Sequence, residues 1–162
     1  MGNTNKMKYK KAKSDGLVQY DVRSRKIYER ISKIIENARG NISRAINTEM
    51  VIAYWHIGRE IVEEEQKGQS RAHYGEAILK KLSDRLTADF GKGFDQSNLR
   101  NIRAFYCAYP KCDALRHELS WTHYRILMRV EKPEARSFYE VECVNNNWSA
   151  RELERQKGSP DD

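Results

Sequence analysis

Apolar residues recur every three or four positions along most of the chain, and this periodicity constrains the fold more than any other feature. Between Val22 and Arg39 the recurring residues are Ile27, Ile31, Ile34, Ile35 and Ala38, and the pattern resumes from Ile42 to Ile61. This spacing is that of one face of an α-helix, and no segment keeps the alternation of a strand for long. We therefore predict an all-α, multi-helix fold with at most a minor β wing.

Gly40 and Asn41 interrupt the first pattern with a residue typical of helix ends and one typical of helix starts. We predict a stop there, followed by a second helix that ends at Gly68. The two helices form either a hairpin or one kinked rod. A polar loop leads into a third helix, predicted near residues 76–89, whose inner face carries Leu79, Leu82 and Leu86.

Three later helix starts share one device, the hydrophobic staple, in which an apolar residue before the N-cap packs on another in the first turn. Their capping residues are Asp95, Ser120 and Ser149, and Glu152 completes a capping box with Ser149. Pro133 begins a further helix at its first position. These signals predict short helices that turn sharply on one another.

The string LSWTHYRILMRV, residues 119–130, is apolar around most of a helical wheel. It nevertheless places His123 inside the apolar arc and leaves Arg125 and Arg129 on a narrow polar strip. His123 is the third residue of a helix capped by Ser120, where a side chain can bond back to a free backbone N–H. We interpret this histidine as structural, with a phosphate or metal contact as the alternative.

The net charge of +7 is unevenly distributed. Residues 1–40 hold 11 lysines and arginines against 4 acidic residues, and residues 92–129 hold 7 against 3. The first 22 residues have too few apolar groups to pack, so we predict a flexible basic arm at 1–22, a helical domain at 23–157 and a short polar tail at 158–162. Clustered basic residues are typical of proteins that bind a polyanion.

The composition also excludes several classes of protein. No apolar run has the roughly 18 residues of a membrane span, and the lysine-rich start lacks the apolar region of a signal peptide, so we expect a cytoplasmic protein. Cys107, Cys112 and Cys143 are an odd set, which favours free thiols. The order Cys107, Cys112, His117, His123 resembles a zinc site, but only four residues separate Cys112 from His117. We predict no metal and no cofactor.

The helix predicted at 96–109 has two contrasting faces. One carries Leu99, Ile102, Phe105, Tyr106 and Tyr109, and the other presents Gln96, Ser97, Arg100, Ala104 and, at its edge, Arg103. A capped helix that follows another across a short glycine turn is how a helix-turn-helix presents its recognition helix to DNA. Arginine pairs with guanine, glutamine pairs with adenine, and serine or arginine can hold phosphates.

Several strings taken together resemble one family. They are VIAYWHIGREI with HYGEAILKKLSDRL, FDQSNLRNIRAFYCAYP, LSWTHYRILMRVEKPEARSFYEVE and NNWSARELERQ. In order and spacing they are similar to the N-terminal domain of the YhcG family of bacterial proteins, over roughly residues 27–156. That resemblance implies a helical domain with a DNA-binding helix-turn-helix or winged-helix unit, placed before a nuclease domain of the PD-(D/E)XK superfamily. The family string F-S-x-x-N-L-x-x-x-R-x-F-Y falls on residues 94–106, with Asp95 where serine is usual.

The chain supplies no carboxylate cluster for metal-dependent phosphodiester hydrolysis. Pro160-Asp161-Asp162 begins like a nuclease motif without a downstream Glu-x-Lys strand, and Glu65-Gln66-Lys67 lies at the polar end of a helix. We therefore expect a DNA-binding domain of a YhcG-like nuclease, truncated or free-standing, that is not itself an enzyme. The predicted DNA-contacting residues are Gln96, Ser97, Arg100 and Arg103, with Lys92, Arg125 and Arg129 supporting them.

The main alternative is a protein-interaction module. In that interpretation the aromatic residues form a groove that docks on a separately encoded nuclease or restriction-modification subunit. Salt dependence separates the two interpretations, because phosphate contacts release counterions. The sequence predicts no oligomeric state.

Overall fold

In a computed structural model, the backbone is described for residues 4–67 and 71–158, and side chains are described for residues 22–67 and 75–158. These residues form six α-helices and one 3-10 turn: α1 (Thr4–Lys67), α2 (Arg71–Phe90), α3 (Gln96–Ala108), the 3-10 turn Cys112–Ala114, α4 (Trp121–Leu127), α5 (Pro133–Asn145) and α6 (Ala150–Lys157). No strand occurs in the described part of the chain. The prediction of an all-α fold is confirmed.

The chain divides into an N-terminal unit, Met1–Ser43, and a C-terminal unit, Arg44–Asp162. The predicted basic arm lies almost entirely outside the residues whose side chains are described, and it stays a prediction. The predicted stop at Gly40 is wrong, since α1 includes both Gly40 and Asn41. A glycine inside a helix costs only about 1 kcal/mol relative to alanine, which good helix formers on either side can offset. Helix α2 begins at Arg71, earlier than predicted near Glu76.

In the N-terminal unit, the isoleucines of α1 are largely exposed to solvent. The exposed fractions are 47% for Ile27, 49% for Ile31, 66% for Ile34, 46% for Ile35 and 61% for Ile42. A helix in a folded protein is stabilised mainly by burying its apolar face. These residues therefore form an apolar stripe that has no cover within the described structure.

The C-terminal unit contains two adjoining apolar clusters. The larger one joins residues of α1, of α3–α6 and of the connection between α3 and α4: Val51, Trp55, Phe105, Tyr109, Leu115, Leu119, Tyr124, Ile126, Leu127, Cys143 and Leu153. The smaller one joins α1, α2 and α3 through Tyr54, Ile61, Leu79, Leu99 and Ile102. The predicted buried face of α3 is confirmed, because Leu99, Ile102 and Phe105 are fully buried.

Aromatic side chains join α3 to α4. The ring of Phe105 lies 5.2 Å from that of Trp121 and 5.0 Å from that of Tyr124, and the rings of Tyr109 and Tyr124 are 5.2 Å apart. Tilted and edge-on pairs at these distances contribute beyond the area that they bury. The indole N–H of Trp55 donates to the carbonyl oxygen of Tyr109 at 2.6 Å, which ties α1 to the end of α3.

His123 performs the structural role predicted for it. Its Nδ1 accepts the backbone N–H of Ser120 at 3.2 Å and lies 2.7 Å from the Ser120 hydroxyl. Because Nδ1 is an acceptor, the proton of the neutral ring belongs on Nε2, which lies 2.9 Å from the carbonyl oxygen of Trp148. The histidine therefore completes the capping box of α4 and links it to the turn before α6.

Candidate nucleic-acid interface

The turn before α3 determines where this helix begins. Gly91 and Gly93 have φ values of 82° and 108°, a conformation that favours glycine. Asp95 then caps the helix by accepting the backbone N–H of Asn98 at 3.0 Å, as predicted. The side chain of Asn98 donates to the carbonyl oxygen of Gly93 at 2.6 Å and accepts the indole N–H of Trp121 at 3.1 Å. Helix α3 is thereby fixed at its start.

The buried residues of α3 determine which side chains face outward. Because Leu99, Ile102 and Phe105 point into the core, Ser97, Arg100 and Arg103 are left exposed, while Gln96 is half-buried. Lys92 is exposed in the glycine turn before the helix. A hydroxyl group, an amide group and two guanidinium groups therefore lie on the outer side of α3.

Arg100 makes a two-point contact with Glu76 of α2. Its Nη2 lies 2.8 Å from Oε2 of the carboxylate and its Nε lies 3.4 Å from Oε1. The hydrogen bond from Arg100 lowers the pKa of Glu76, and the same bond and charge raise the pKa of Arg100. Both side chains are more than half exposed, so water screens the pair and its strength is small.

Arg103 contacts Glu65 of α1. Its Nε donates to the carboxylate at 2.6 Å, and the side chain of Glu65 is only 12% exposed. A Cβ atom at Gly75 would lie 2.7 Å from Oε1 of Glu65, so this glycine leaves room for the carboxylate. Residues of α1, α2 and α3 therefore meet around the ion pair between Arg103 and Glu65.

Ser97 and Arg125 line the same cleft, which has a volume of about 310 Å³. Its other lining residues are Tyr54, Gly93, Asp95, Asn98, Asn101 and Trp121. The structure thus brings together two of the residues that the sequence predicted, one from α3 and one from α4. Asn101 was missed by sequence reasoning, although it lies one helical turn after Ser97 and so shares its face.

Arg129 lies beside another helix. Its Nη1 is 3.6 Å from Oε1 of Glu154 on α6. No described contact joins Arg129 to Ser97, Arg100 or Arg103. The pairing is exposed, with 60% of the arginine side chain accessible, so the guanidinium can still reach a ligand.

The described residues contain no group of three histidine, cysteine, aspartate or glutamate side chains with a spacing that could hold a metal ion. Within the same ranges no helix is long and apolar enough to cross a membrane. Several carboxylates near α3 are engaged with arginines or with backbone N–H groups. This surface presents guanidinium, amide and hydroxyl groups, all of which can donate hydrogen bonds.

Residues 30–160 match the model of a protein family described as the DUF1016 N-terminal domain. The chain belongs to this family. It is also 32% identical, over 162 residues, to a protein of Escherichia coli (strain K12) named "Putative nuclease YhcG". The alignment covers 80% of this chain and 43% of that relative, so the chain spans less than half of the relative's length. The resemblance to the N-terminal domain of the YhcG family is confirmed. No solved structure matches this DUF1016 N-terminal domain significantly.

Proposed function

We propose that this DUF1016 N-terminal domain binds DNA, with α3 as the recognition helix of a helix-turn-helix formed by α2, the glycine turn and α3. The observation that carries the proposal is the outer face of α3, on which Ser97, Arg100 and Arg103 are exposed beside a cleft shared with Arg125. Arginine side chains of this kind pair with guanine or with phosphate. The name of the E. coli relative, a nuclease, supports a nucleic acid as the ligand.

The acidic partners of these arginines are compatible with DNA binding. The pair between Arg100 and Glu76 is exposed and weak, so a phosphate can displace this carboxylate at small cost. Glu65 is mostly buried and binds only Nε of Arg103 at 2.6 Å, so it holds this half-exposed guanidinium in a defined position before the DNA arrives. Such preorganisation reduces the entropy lost on binding.

We also propose that the domain targets a nuclease and does not itself hydrolyse DNA. Metal-dependent hydrolysis requires carboxylates clustered on a rigid element, and Glu65, Glu76 and Asp95 instead contact arginines and a helix end. The purified domain, incubated with plasmid and with single-stranded DNA in Mg²⁺ or Mn²⁺, is expected to leave both intact. Cleavage that a carboxylate substitution in the domain abolishes would contradict the proposal.

The binding proposal is tested by fluorescence anisotropy with labelled duplexes over a salt series. Arg100→Ala with Arg103→Ala should weaken binding by about 1 to 3 kcal/mol, whereas Arg125→Ala or Arg129→Ala should weaken binding to all sequences alike and reduce the salt slope by about one. Arg151→Ala is the control, an exposed arginine on α6 that is not among the proposed DNA contacts. Unchanged affinity in the double variant would contradict the recognition-helix assignment.

The alternative function, an aromatic groove that binds a partner protein, has less support. Phe105, Tyr109 and Tyr124 lie in the core, where they contact one another. A domain that captures a nuclease subunit, and whose DNA affinity does not depend on salt, would favour this alternative over the DNA-binding proposal.

A further inference from the structure

The cleft that Ser97 shares with Arg125, called here the α3–α4 cleft, holds several hydrogen-bonding groups that the fold itself does not use. Within the part of the chain that the structure describes, no hydrogen bond or ion pair engages the Ser97 hydroxyl, the Asn101 amide or the Arg125 guanidinium. Polar groups that converge on a concave surface without partners of their own are typical of a ligand site.

One wall of the α3–α4 cleft is aromatic and held in place. Tyr54 and Trp121 both line the cleft, and their ring centroids are 4.9 Å apart. The indole N–H of Trp121 donates to Asn98 at 3.1 Å, and the indole ring packs edge-on against Phe105 at 5.2 Å. Trp121 is nevertheless only half-buried. A fixed and partly accessible aromatic ring suits a flat ligand such as a nucleic-acid base.

An acidic group in the α3–α4 cleft argues against a phosphate as its occupant. Asp95 lines the cleft, and its Oδ1 accepts the backbone N–H of Asn98 at 3.0 Å. Among the described residues, Oδ2 of this carboxylate has no hydrogen-bond donor. A carboxylate repels a phosphate, whereas the edge of a base carries both donors and acceptors of hydrogen bonds. An acceptor at Asp95 and donors at Ser97 and Asn101 therefore match the edge of a base.

We propose that the α3–α4 cleft binds one unpaired base of the DNA, with guanine as the preferred base. This inference rests on the proposed DNA-binding function. Guanine has two neighbouring N–H donors, N1 and the 2-amino group, which one carboxylate accepts together, and its O6 and N7 accept hydrogen bonds from an amide or a hydroxyl group. The volume of about 310 Å³ is small for a ligand site, so the cleft admits a single base and not a base pair.

The remaining cleft residue with a free donor, Arg125, suits the phosphate of the same nucleotide, because its side chain is exposed whereas Asn101 is half-buried. A base within a duplex must leave its partner and its stack before it can enter a cleft. The cost in free energy is smallest for a base that is already unpaired. We therefore expect the domain to prefer DNA that carries an unpaired nucleotide to a perfect duplex.

The test compares labelled duplexes of one sequence by fluorescence anisotropy. One duplex is fully paired, and the others carry a single bulged nucleotide with guanine, hypoxanthine, adenine or thymine as its base. The wild-type domain should bind the guanine bulge about fivefold or more tightly than the paired duplex, since good hydrogen bonds to one base correspond to a factor of at least this size. Hypoxanthine, which lacks only the 2-amino group, should lose most of this gain.

Two substitutions in the α3–α4 cleft test the assignment of its residues. Asp95→Asn should abolish the preference for guanine over hypoxanthine and keep α3 capped, because asparagine is as good an N-cap as aspartate. The loss of a negative charge affects all duplexes alike, so the ratio of the two affinities is the readout. Asn101→Ala should weaken binding of the guanine bulge and leave the paired duplex unchanged. Asn145→Ala is the matched control, an exposed asparagine at the end of α5 that does not line the cleft.

The outcomes distinguish this inference from the function on which it rests. Equal affinity of the wild-type domain for bulged and paired duplexes would overturn the inference and leave the DNA-binding proposal intact. A preference for the guanine bulge that survives both cleft substitutions would also overturn it, because the unpaired base would then lie elsewhere. No binding to any of these duplexes would contradict the DNA-binding proposal itself, and the inference with it.

Discussion

Gly58 of α1 lies directly against the carbonyl oxygen of Ile102 of α3. A Cβ atom at position 58 would lie 2.5 Å from that oxygen and 2.9 Å from Cβ of Tyr106. Contacts this short do not occur, and one of the two obstacles is backbone that cannot rotate away. The absence of a side chain at this position therefore sets how closely α1 approaches the helix that carries the proposed DNA-binding face.

We expect Gly58→Ala to lower the free energy of unfolding by about 1 to 3 kcal/mol, because the added methyl forces α1 and α3 apart. Alanine is intrinsically the better helix former, so a loss can arise only from packing. Urea denaturation measures the change. Gly158→Ala is the control, since a Cβ atom there would meet nothing closer than 3.4 Å. Equal stability of Gly58→Ala and wild type would show that the helices are less closely packed than described.

Glu76→Gln should strengthen DNA binding if Arg100 contacts DNA. The substitution removes the charge that competes with phosphate for the guanidinium, and an exposed pair of this kind corresponds to about a two- to fivefold change in affinity. Asp84→Asn makes the same charge change on α2 without a described contact to Arg100 and serves as the control. Identical affinities for the two variants would indicate that Arg100 does not approach the DNA.

Arg100→Ala should raise the pKa of Glu76 back toward its ordinary value. The pKa of this carboxyl is lowered, first by the hydrogen bond from Arg100 and then by the charge of that arginine. For a lowered pKa, the stabilising contact is present above the unfolded value and is lost as the pH falls through the folded value. An NMR titration of the side-chain carboxyl measures the shift. An unchanged titration curve would mean that the pair does not form in solution.

His123→Phe should destabilise the fold by about 1 to 3 kcal/mol. Phenylalanine fills similar space but leaves the backbone N–H of Ser120 and the carbonyl oxygen of Trp148 without the partners that the imidazole provides. Thermal or urea unfolding measures the loss. The control is Thr122→Ala at the neighbouring exposed position, which should change the free energy of unfolding by less than about 0.5 kcal/mol. A similarly small effect of His123→Phe would favour the alternative that this histidine contacts a phosphate or a metal.

The three cysteines should react with a thiol reagent in an order set by burial. Cys107 is exposed, whereas Cys143 is buried and burial raises the pKa of its thiol. Burial, together with the charge of Asp113, also raises the pKa of Cys112. Since the thiolate is the reactive form, a raised pKa slows modification at any given pH. Alkylation followed by mass spectrometry should therefore label Cys107 first and Cys143 last. Early labelling of Cys143 would mean that the core around Trp148 opens readily.

Local signals in the sequence determined most of the secondary structure. Asp95, Ser120 and Ser149 each cap a helix as predicted, and Pro133 begins α5, because capping depends on groups within three residues of one another. The buried face of α3 follows in the same way from the spacing of Leu99, Ile102 and Phe105. The helix end predicted at Gly40 is wrong because the free-energy cost of a glycine inside a helix is small enough for its neighbours to offset.

Only the tertiary structure decided which surface groups meet. The pairing of Arg100 with Glu76 joins residues 24 positions apart, and that of Arg103 with Glu65 joins residues 38 positions apart. The shared cleft of Ser97 and Arg125 likewise depends on how α4 packs on α3, and the need for glycine at position 58 depends on the path of the α3 backbone. A helical pattern specifies which face of each helix is apolar, but many arrangements of the helices against one another bury the same apolar area. The choice among them depends on the shapes and contacts of side chains brought together by the whole fold.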